Sequence, residues 1–151
     1  MDPEIPVLSV IDLGILREVT FNPSIDPPTG EWRIVITPTY SGCPAMDVIA
    51  TNIRMALLQN SYKNFVVIQQ LSPAWTTDWM SEKGKEKLQA YGIAPPAGNT
   101  RDKNNLEHPA VACPLCRSIN TKLISQFGST ACKALYQCLD CKEPFDYFKC
   151  H

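Results

Sequence analysis

Histidine is nearly missing from this chain: of 151 residues only His108 and His151 carry an imidazole. That scarcity takes away the commonest general base and, with it, the Cys–His and Ser–His pairs behind most nucleophilic catalysis. No phosphate loop or dinucleotide fingerprint occurs among the seven glycines, so nucleotide chemistry has no foothold. Net charge is −1, with 14 Lys and Arg set against 15 Asp and Glu along the whole sequence. Such a balance creates no broad field for nucleic acid or an anionic membrane. No apolar run approaches the roughly 20 residues of a membrane span. Met1-Asp2-Pro3-Glu4 is acidic and lacks the regions of a secretory signal. The expectation is a soluble cytoplasmic protein without independent catalysis, nucleic-acid partner or membrane.

Cysteine, by contrast, is plentiful: there are seven. In a reducing compartment they point to metal ligation or thiol chemistry rather than disulfides. Cys113-Pro114-Leu115-Cys116 and Cys138-Leu139-Asp140-Cys141 are two CxxC pairs with 21 residues between Cys116 and Cys138. This is close to the spacing of zinc ribbons, in which two knuckles converge on one tetrahedral ion. A segment of roughly forty residues buries too little apolar surface to fold alone, whereas structural zinc contributes on the order of 10 kcal/mol. Many knuckles carry Gly after the second Cys; here Arg117 and Lys142 take those places, at some cost in turn comfort. Cys132 and Cys150 are surplus and stand as alternative ligands, with an iron–sulfur cluster as the alternative to zinc. From Cys113 onward five Lys or Arg face three Asp or Glu, too slight an excess for a ribbon that tracks phosphates.

The other informative stretch is Thr37-Pro38-Thr39-Tyr40-Ser41-Gly42-Cys43-Pro44. Trp32 to Thr37 is β-branched and alternating, as in a strand. Met46, Ile49, Ile53 and Leu57 fall on one helical face. The junction thus reads strand, turn, helix, with Gly42 supplying backbone freedom, Pro44 at the first helical position and Cys43 at the N-cap. Amides and the helix dipole at that place predict a lowered thiol pKa, suited to a soft metal ligand. A free cysteine also serves as a small buried hydrophobe, and deep burial of Cys43 would exclude the ligand role.

Around these landmarks the chain predicts an α+β architecture: a β-β-α-β-α domain with helices on one face of a mixed sheet, then a C-terminal zinc ribbon. Residues 1–91 form the first domain, 92–109 a linker and 110–151 the ribbon. The prolines of Asp2-Pro3-Glu4-Ile5-Pro6 hold the start extended, and Asp12-Leu13-Gly14 is a turn with Gly14 at positive φ. Strands are predicted over Ile15 to Phe21, Glu31 to Thr37 and Phe65 to Leu71, with turn signals at Asp26 to Gly30 and a helix from Ala45 to Gln59. Thr77 or Asp78 caps a second helix reaching about Tyr91. Its lysines and glutamates form a solvated face, and Trp75 and Trp79 dock it on the core.

Asp2 to Pro6, Asp12-Leu13-Gly14 and Thr37 to Pro44 together resemble the small α+β family of iron–sulfur assembly auxiliaries linked to the SUF pathway. Pro73 to Met80, Gly92 to Pro96, Phe127 to Lys133 and Glu143 to Lys149 extend the resemblance to its phenylacetate-degradation members over nearly the whole chain. The resemblance implies a maturation factor that assists iron–sulfur cluster assembly for the multicomponent phenylacetyl-CoA epoxidase, with the iron–sulfur flavin reductase as partner. The alternative is a structural or electron-transfer subunit of the oxygenase. Carried over, the transient iron or cluster ligand is Cys43, supported by Asp12, Thr39, Ser41 and Gly42, and the ribbon ligands are Cys113, Cys116, Cys138 and Cys141. Members of that family commonly have a helix before the motif that here starts at Asp2.

Overall fold

Strand β1 (Leu16–Pro23) returns as β2 (Gly30–Ile36), antiparallel, with Leu16 opposite Ile36, Pro23 opposite Gly30 and a bulge between Leu16 and Glu18. The chain then crosses over through α1 (Ala45–Gln59) to β3 (Phe65–Gln69), which lies parallel to β2. A parallel neighbour demands such a long crossover, and the result is a mixed sheet in the order β1-β2-β3. Ile34, Val35 and Ile36 are all buried, as a central strand covered on both faces requires. The computed structural model describes residues 1–23, 30–96 and 111–149. It divides into two units, Met1–Trp75 and Thr76–His151. The turn signals at 26–29 and most of the expected linker lie outside the described residues.

Within the first unit, α1 is anchored at its start. Met46 and Ile49 are buried, each such side chain contributing about 1.5–3 kcal/mol. Farther along, Ile53 and Leu57 are only half-buried. They line an apolar groove of about 300 Å³ with Val10, Leu16, Val19 and Ile34. Gly14 adopts φ 67°, as its turn predicts. The buried Trp75 donates from its indole nitrogen to the carbonyl of Leu13 at 2.8 Å, so this tryptophan pins that turn to the core.

The opening segment corrects an expectation. Instead of running extended, Asp2 to Leu8 closes on itself: the Asp2 amide donates to the Leu8 carbonyl at 2.8 Å. Its carboxylate accepts from the amides of Glu4 at 2.9 Å and Ile5 at 2.7 Å. Asp followed by Pro is a cap followed by a first-turn residue, and that local chemistry prevails over the extended bias of two prolines.

The second unit begins with a short 3-10 turn, Thr77–Trp79, capped by the Thr76 hydroxyl. Next come α2 (Glu82–Ala90), β4 (Ile93–Ala94), β5 (Thr121–Ser125), β6 (Lys133–Cys138) and β7 (Pro144–Phe148). Ser81, rather than Thr77 or Asp78, caps α2 by accepting from the Gly84 amide at 2.9 Å. Met80 is extended at φ −68°, ψ 137°, which separates the 3-10 turn from the helix. The sheet runs β4-β7-β6-β5, antiparallel except where Ile93 and Ala94 pair parallel with Asp146 and Tyr147.

Helix α2, expected within residues 1–91, therefore falls in the second unit, and the expected linker opens with a strand. Among the residues of α2 only Gly84 and Leu88 are buried, a stripe too narrow to announce which sheet it accompanies. Two residues of strand likewise carry no period. Tyr136 stacks on Phe145 at 5.9 Å and meets Tyr147 edge-on at 5.5 Å, forming a core with Val111, Cys113 and Cys138.

Candidate functional site

Each ribbon knuckle is a turn whose backbone folds around sulfur. In the first, the Cys113 amide donates to the Ser118 carbonyl and the Arg117 amide to the Cys113 carbonyl, both at 2.9 Å. In the second, the Cys138 amide donates to the Glu143 carbonyl at 3.0 Å. Closing these turns drives Arg117 to φ 64° and Lys142 to φ 68°, the two places where glycine would be comfortable.

The four sulfurs of Cys113, Cys116, Cys138 and Cys141 all lie within 4.8 Å of one another. The pairs across the knuckles stand at 3.8 Å (Cys113 to Cys141) and 3.5 Å (Cys116 to Cys138). A metal held at about 2.3 Å from four thiolates has tetrahedral edges of about 3.8 Å. The site therefore fits a single metal ion. Cys113 and Cys138 are buried and Cys116 is exposed, so the ion would sit at the end of the sheet with one side toward solvent.

Metal-free, these thiols do not share one proton affinity. The Cys141 and Asp140 amides point at the Cys138 sulfur, and with the Cys116 and Cys141 thiols they overcome its burial and lower its pKa to about 7. At Cys141 the Glu143 amide pulls downward, yet burial and the three neighbouring sulfurs outweigh it and push the pKa up to about 12. The Ser118 amide likewise lowers Cys116, against a stronger combined push from Cys138, Cys113 and burial. Crowded sulfurs that resist joint ionisation are relieved by a cation in their midst.

Cys132 does not join them. It precedes β6 while Cys138 ends it, and six residues of strand span about 20 Å. Its buried thiol lies 3.0 Å from the Thr130 hydroxyl and is not among the four clustered sulfurs; Cys150 lies outside the described residues. A neighbouring feature went unread in the sequence: Lys133 is buried, with its ammonium 3.7 Å from the Asp146 carboxylate. Ser129 donates to the same carboxylate at 2.9 Å. No local spacing signals this pairing across β6 and β7.

The first unit presents one cysteine. Cys43 follows a turn in which its amide donates to the Tyr40 carbonyl at 3.2 Å, and its carbonyl accepts from Met46 at 3.3 Å. Pro44, at φ −70° and ψ −18°, is the helix N-cap, without a side-chain capping bond. Cys43 is therefore one residue short of the position expected for it. Its pKa is raised, not lowered: burial is the largest cause, and the carboxylates of Glu4 and Asp2 add to it. The amide of Ala45 and the Tyr40 hydroxyl oppose them insufficiently. Folding the Asp2 to Leu8 turn is what brings those acids near. The thiol remains half-buried rather than sealed.

Of the supporting residues, Thr39 is buried and Ser41 and Gly42 are exposed. Gly42 is not among the positive-φ glycines, and an added Cβ would meet only Tyr40 at 3.9 Å, so its expected conformational role is not used. Asp12 is buried and accepts from the Ser9 amide at 3.0 Å and hydroxyl at 2.8 Å. The Asp12 amide returns a bond to that hydroxyl at 3.0 Å. This is a reciprocal cap on the turn leading to Gly14.

Comparison with known proteins agrees with both halves. Residues 1–63 match the family described as iron–sulfur cluster assembly protein, and residues 97–149 match the PaaD zinc beta ribbon domain. Over 150 residues the chain is 53% identical to an Escherichia coli (strain K12) protein named as a putative 1,2-phenylacetyl-CoA epoxidase subunit, covering 99% of this chain and 86% of that one. A Porphyromonas gingivalis "Fe-S protein maturation auxiliary factor" is 33% identical over 88 residues, 58% of this chain and 78% of that one. Among solved structures, a Bacillus anthracis domain of unknown function, DUF59, superimposes with a TM-score of 0.50 at 27% identity, covering 58% of this chain and 79% of that one.

Proposed function

This chain belongs to the PaaD family of phenylacetyl-CoA epoxidase subunits, and from that premise we propose that it is a maturation auxiliary for the epoxidase. It assists assembly or insertion of an iron–sulfur cluster, and the recipient is the iron–sulfur flavin reductase. In this reading the ribbon holds one structural zinc through Cys113, Cys116, Cys138 and Cys141. Cys43 meets iron or a cluster only in passing, as cargo.

The observation that carries the reading is the mutual approach of four sulfurs to within 4.8 Å. A site that compact suits one resident ion and commits these four sulfurs to it. The half-buried Cys43 lies in the half of the chain that matches the assembly family, which supports it as the cargo ligand. Its raised pKa suits a transient ligand: the thiol stays protonated until a metal displaces the proton, and reprotonation favours release. Both roles require reduced thiols, which supports a cytoplasmic setting for this reading. No helix of the described residues is long and apolar enough to cross a membrane.

The test is Cys43→Ser in cells making the epoxidase components, followed by cluster quantitation in the isolated reductase. The reductase is expected to lose most of its cluster while the variant keeps its own zinc. Full occupancy overturns the role of the thiol.

The name carried by the Escherichia coli relative favours a second reading, a structural or electron-transfer subunit of the oxygenase. Anaerobic purification with metal analysis separates the two: one zinc without visible absorbance leaves the ribbon nothing to carry an electron, whereas iron with a thiolate charge-transfer band supports the second.

A further inference from the structure

One side chain spans the two knuckles. Asp140 sits inside the second, between Cys138 and Cys141, yet its carboxylate reaches the exit of the first. One oxygen accepts from the Ser118 hydroxyl and the other from the Asn120 side-chain amide, the latter at 2.8 Å. The Ser118 hydroxyl in turn accepts from the Asn120 main-chain amide at 3.0 Å, and the Leu139 amide donates to the Asn120 carbonyl at 2.8 Å. Meanwhile the Asp140 amide points at the Cys138 sulfur. A single residue thus touches a ligand sulfur with its backbone and the opposite knuckle with its side chain.

We propose that Asp140 is a positioning residue of the metal centre: its carboxylate clasps Ser118 and Asn120, holds the two knuckles at the separation one ion requires, and thereby slows the ion's departure. The inference rests on the reading of the four sulfurs as a metal site. For the ion to leave, one knuckle must swing away from the other. With the clasp made, that swing breaks two hydrogen bonds to a carboxylate as well as metal–sulfur bonds. Partners beyond the ligands commonly govern metal affinity in this way.

Charge alone predicts the opposite sign, which makes the inference testable. A carboxylate beside four thiolates repels them, so removing it without any clasp would favour the anionic, metal-bound state and slow release. The experiment follows zinc transfer from the full chain, loaded with one zinc, to a chelating dye. Asp140→Asn, which keeps the volume, and Asp140→Ala are expected to release zinc about ten-fold faster or more. The Ser118→Ala/Asn120→Ala double variant keeps the carboxylate and is expected to do the same. Adding that pair to Asp140→Ala is expected to change little further, because the residues act as a unit.

Release from Asp140→Asn at or below the wild-type rate overturns the clasp, and so do effects that simply add. If an Asp140 variant does not fold, the single changes Ser118→Ala and Asn120→Ala decide by the same criterion, each expected to speed release. A wild-type chain that holds no stoichiometric zinc fails at the earlier step, and the metal-site reading falls with the clasp.

Discussion

Around Cys138 two backbone amides point at the sulfur, whereas around Cys43 one amide competes with burial and two carboxylates. The first thiol is drawn down to about 7 and the second is raised. Cys43 stands between a turn and the start of α1, and Cys138 ends β6 where a turn begins. What separates them is what the rest of the fold brings to the turn. At the ribbon, the second knuckle folds its own amides inward and the first supplies more sulfur. At Cys43, the closed turn of Asp2 to Leu8 supplies negative charge. A cysteine's neighbourhood, more than its place at the start of a helix, decides whether its thiolate is favoured or disfavoured.

The largest way to break this comparison is to take the resident ion away. Cys113→Ser, Cys138→Ser or a strong chelator is expected to abolish the ribbon's strands, since metal binding on the order of 10 kcal/mol exceeds what so small a core supplies. Thermal unfolding by circular dichroism, with metal quantitation, reads the loss. Cys132→Ser is expected to leave the metal content at one ion per chain; a drop would return Cys132 to the ligand set.

A smaller effect sharpens the Cys43 side. Because its pKa is raised, alkylation of Cys43 at neutral pH should be slower than that of an ordinary thiol and keep accelerating with pH past the usual thiol range. Glu4→Gln removes a charge that disfavours the thiolate, so the pKa falls and alkylation at pH 8 rises a few-fold. An unmoved pH profile would show that the carboxylate is not a cause.

The smallest effect concerns backbone strain. Arg117 sits at φ 64°, where a side chain costs roughly 1 kcal/mol or more. Part of that is offset by the entropy a glycine adds to the unfolded chain. Arg117→Gly should therefore raise stability by up to about 1 kcal/mol, seen as a higher melting midpoint of the metal-loaded protein. Lys142 is equally strained, but its ammonium donates to the Leu139 carbonyl, so the same change there is expected to gain less.

Much of this molecule was legible where the signal is local. The helix from Ala45 to Gln59 ends where its period ends, and the first two strands begin within a residue of their predicted starts. The clustering of the four ribbon sulfurs was legible in the spacing, since two residues between cysteines is what one turn needs to aim both sulfurs at one point. The misplacements are non-local. The Ile93-Ala94 strand exists only because β7 offers an edge, and the Lys133–Asp146 pair only because β6 and β7 are neighbours. The cap of α2 moved to Ser81 because the preceding turn closes first on Thr76.

Composition and spacing by themselves determined that this chain has a tail with two paired cysteine knuckles, a strand-turn-helix cysteine and almost no imidazole for acid–base work. Those properties follow from residue type and from distances of a few bonds, which the chain carries whether folded or not. Tertiary structure alone decided that the pKa of Cys43 is raised, that Cys132 stands apart from the four clustered sulfurs, and that Asp140 bridges the knuckles. Each of these depends on groups remote in sequence meeting within a few ångströms, and proximity of that kind is created only by folding.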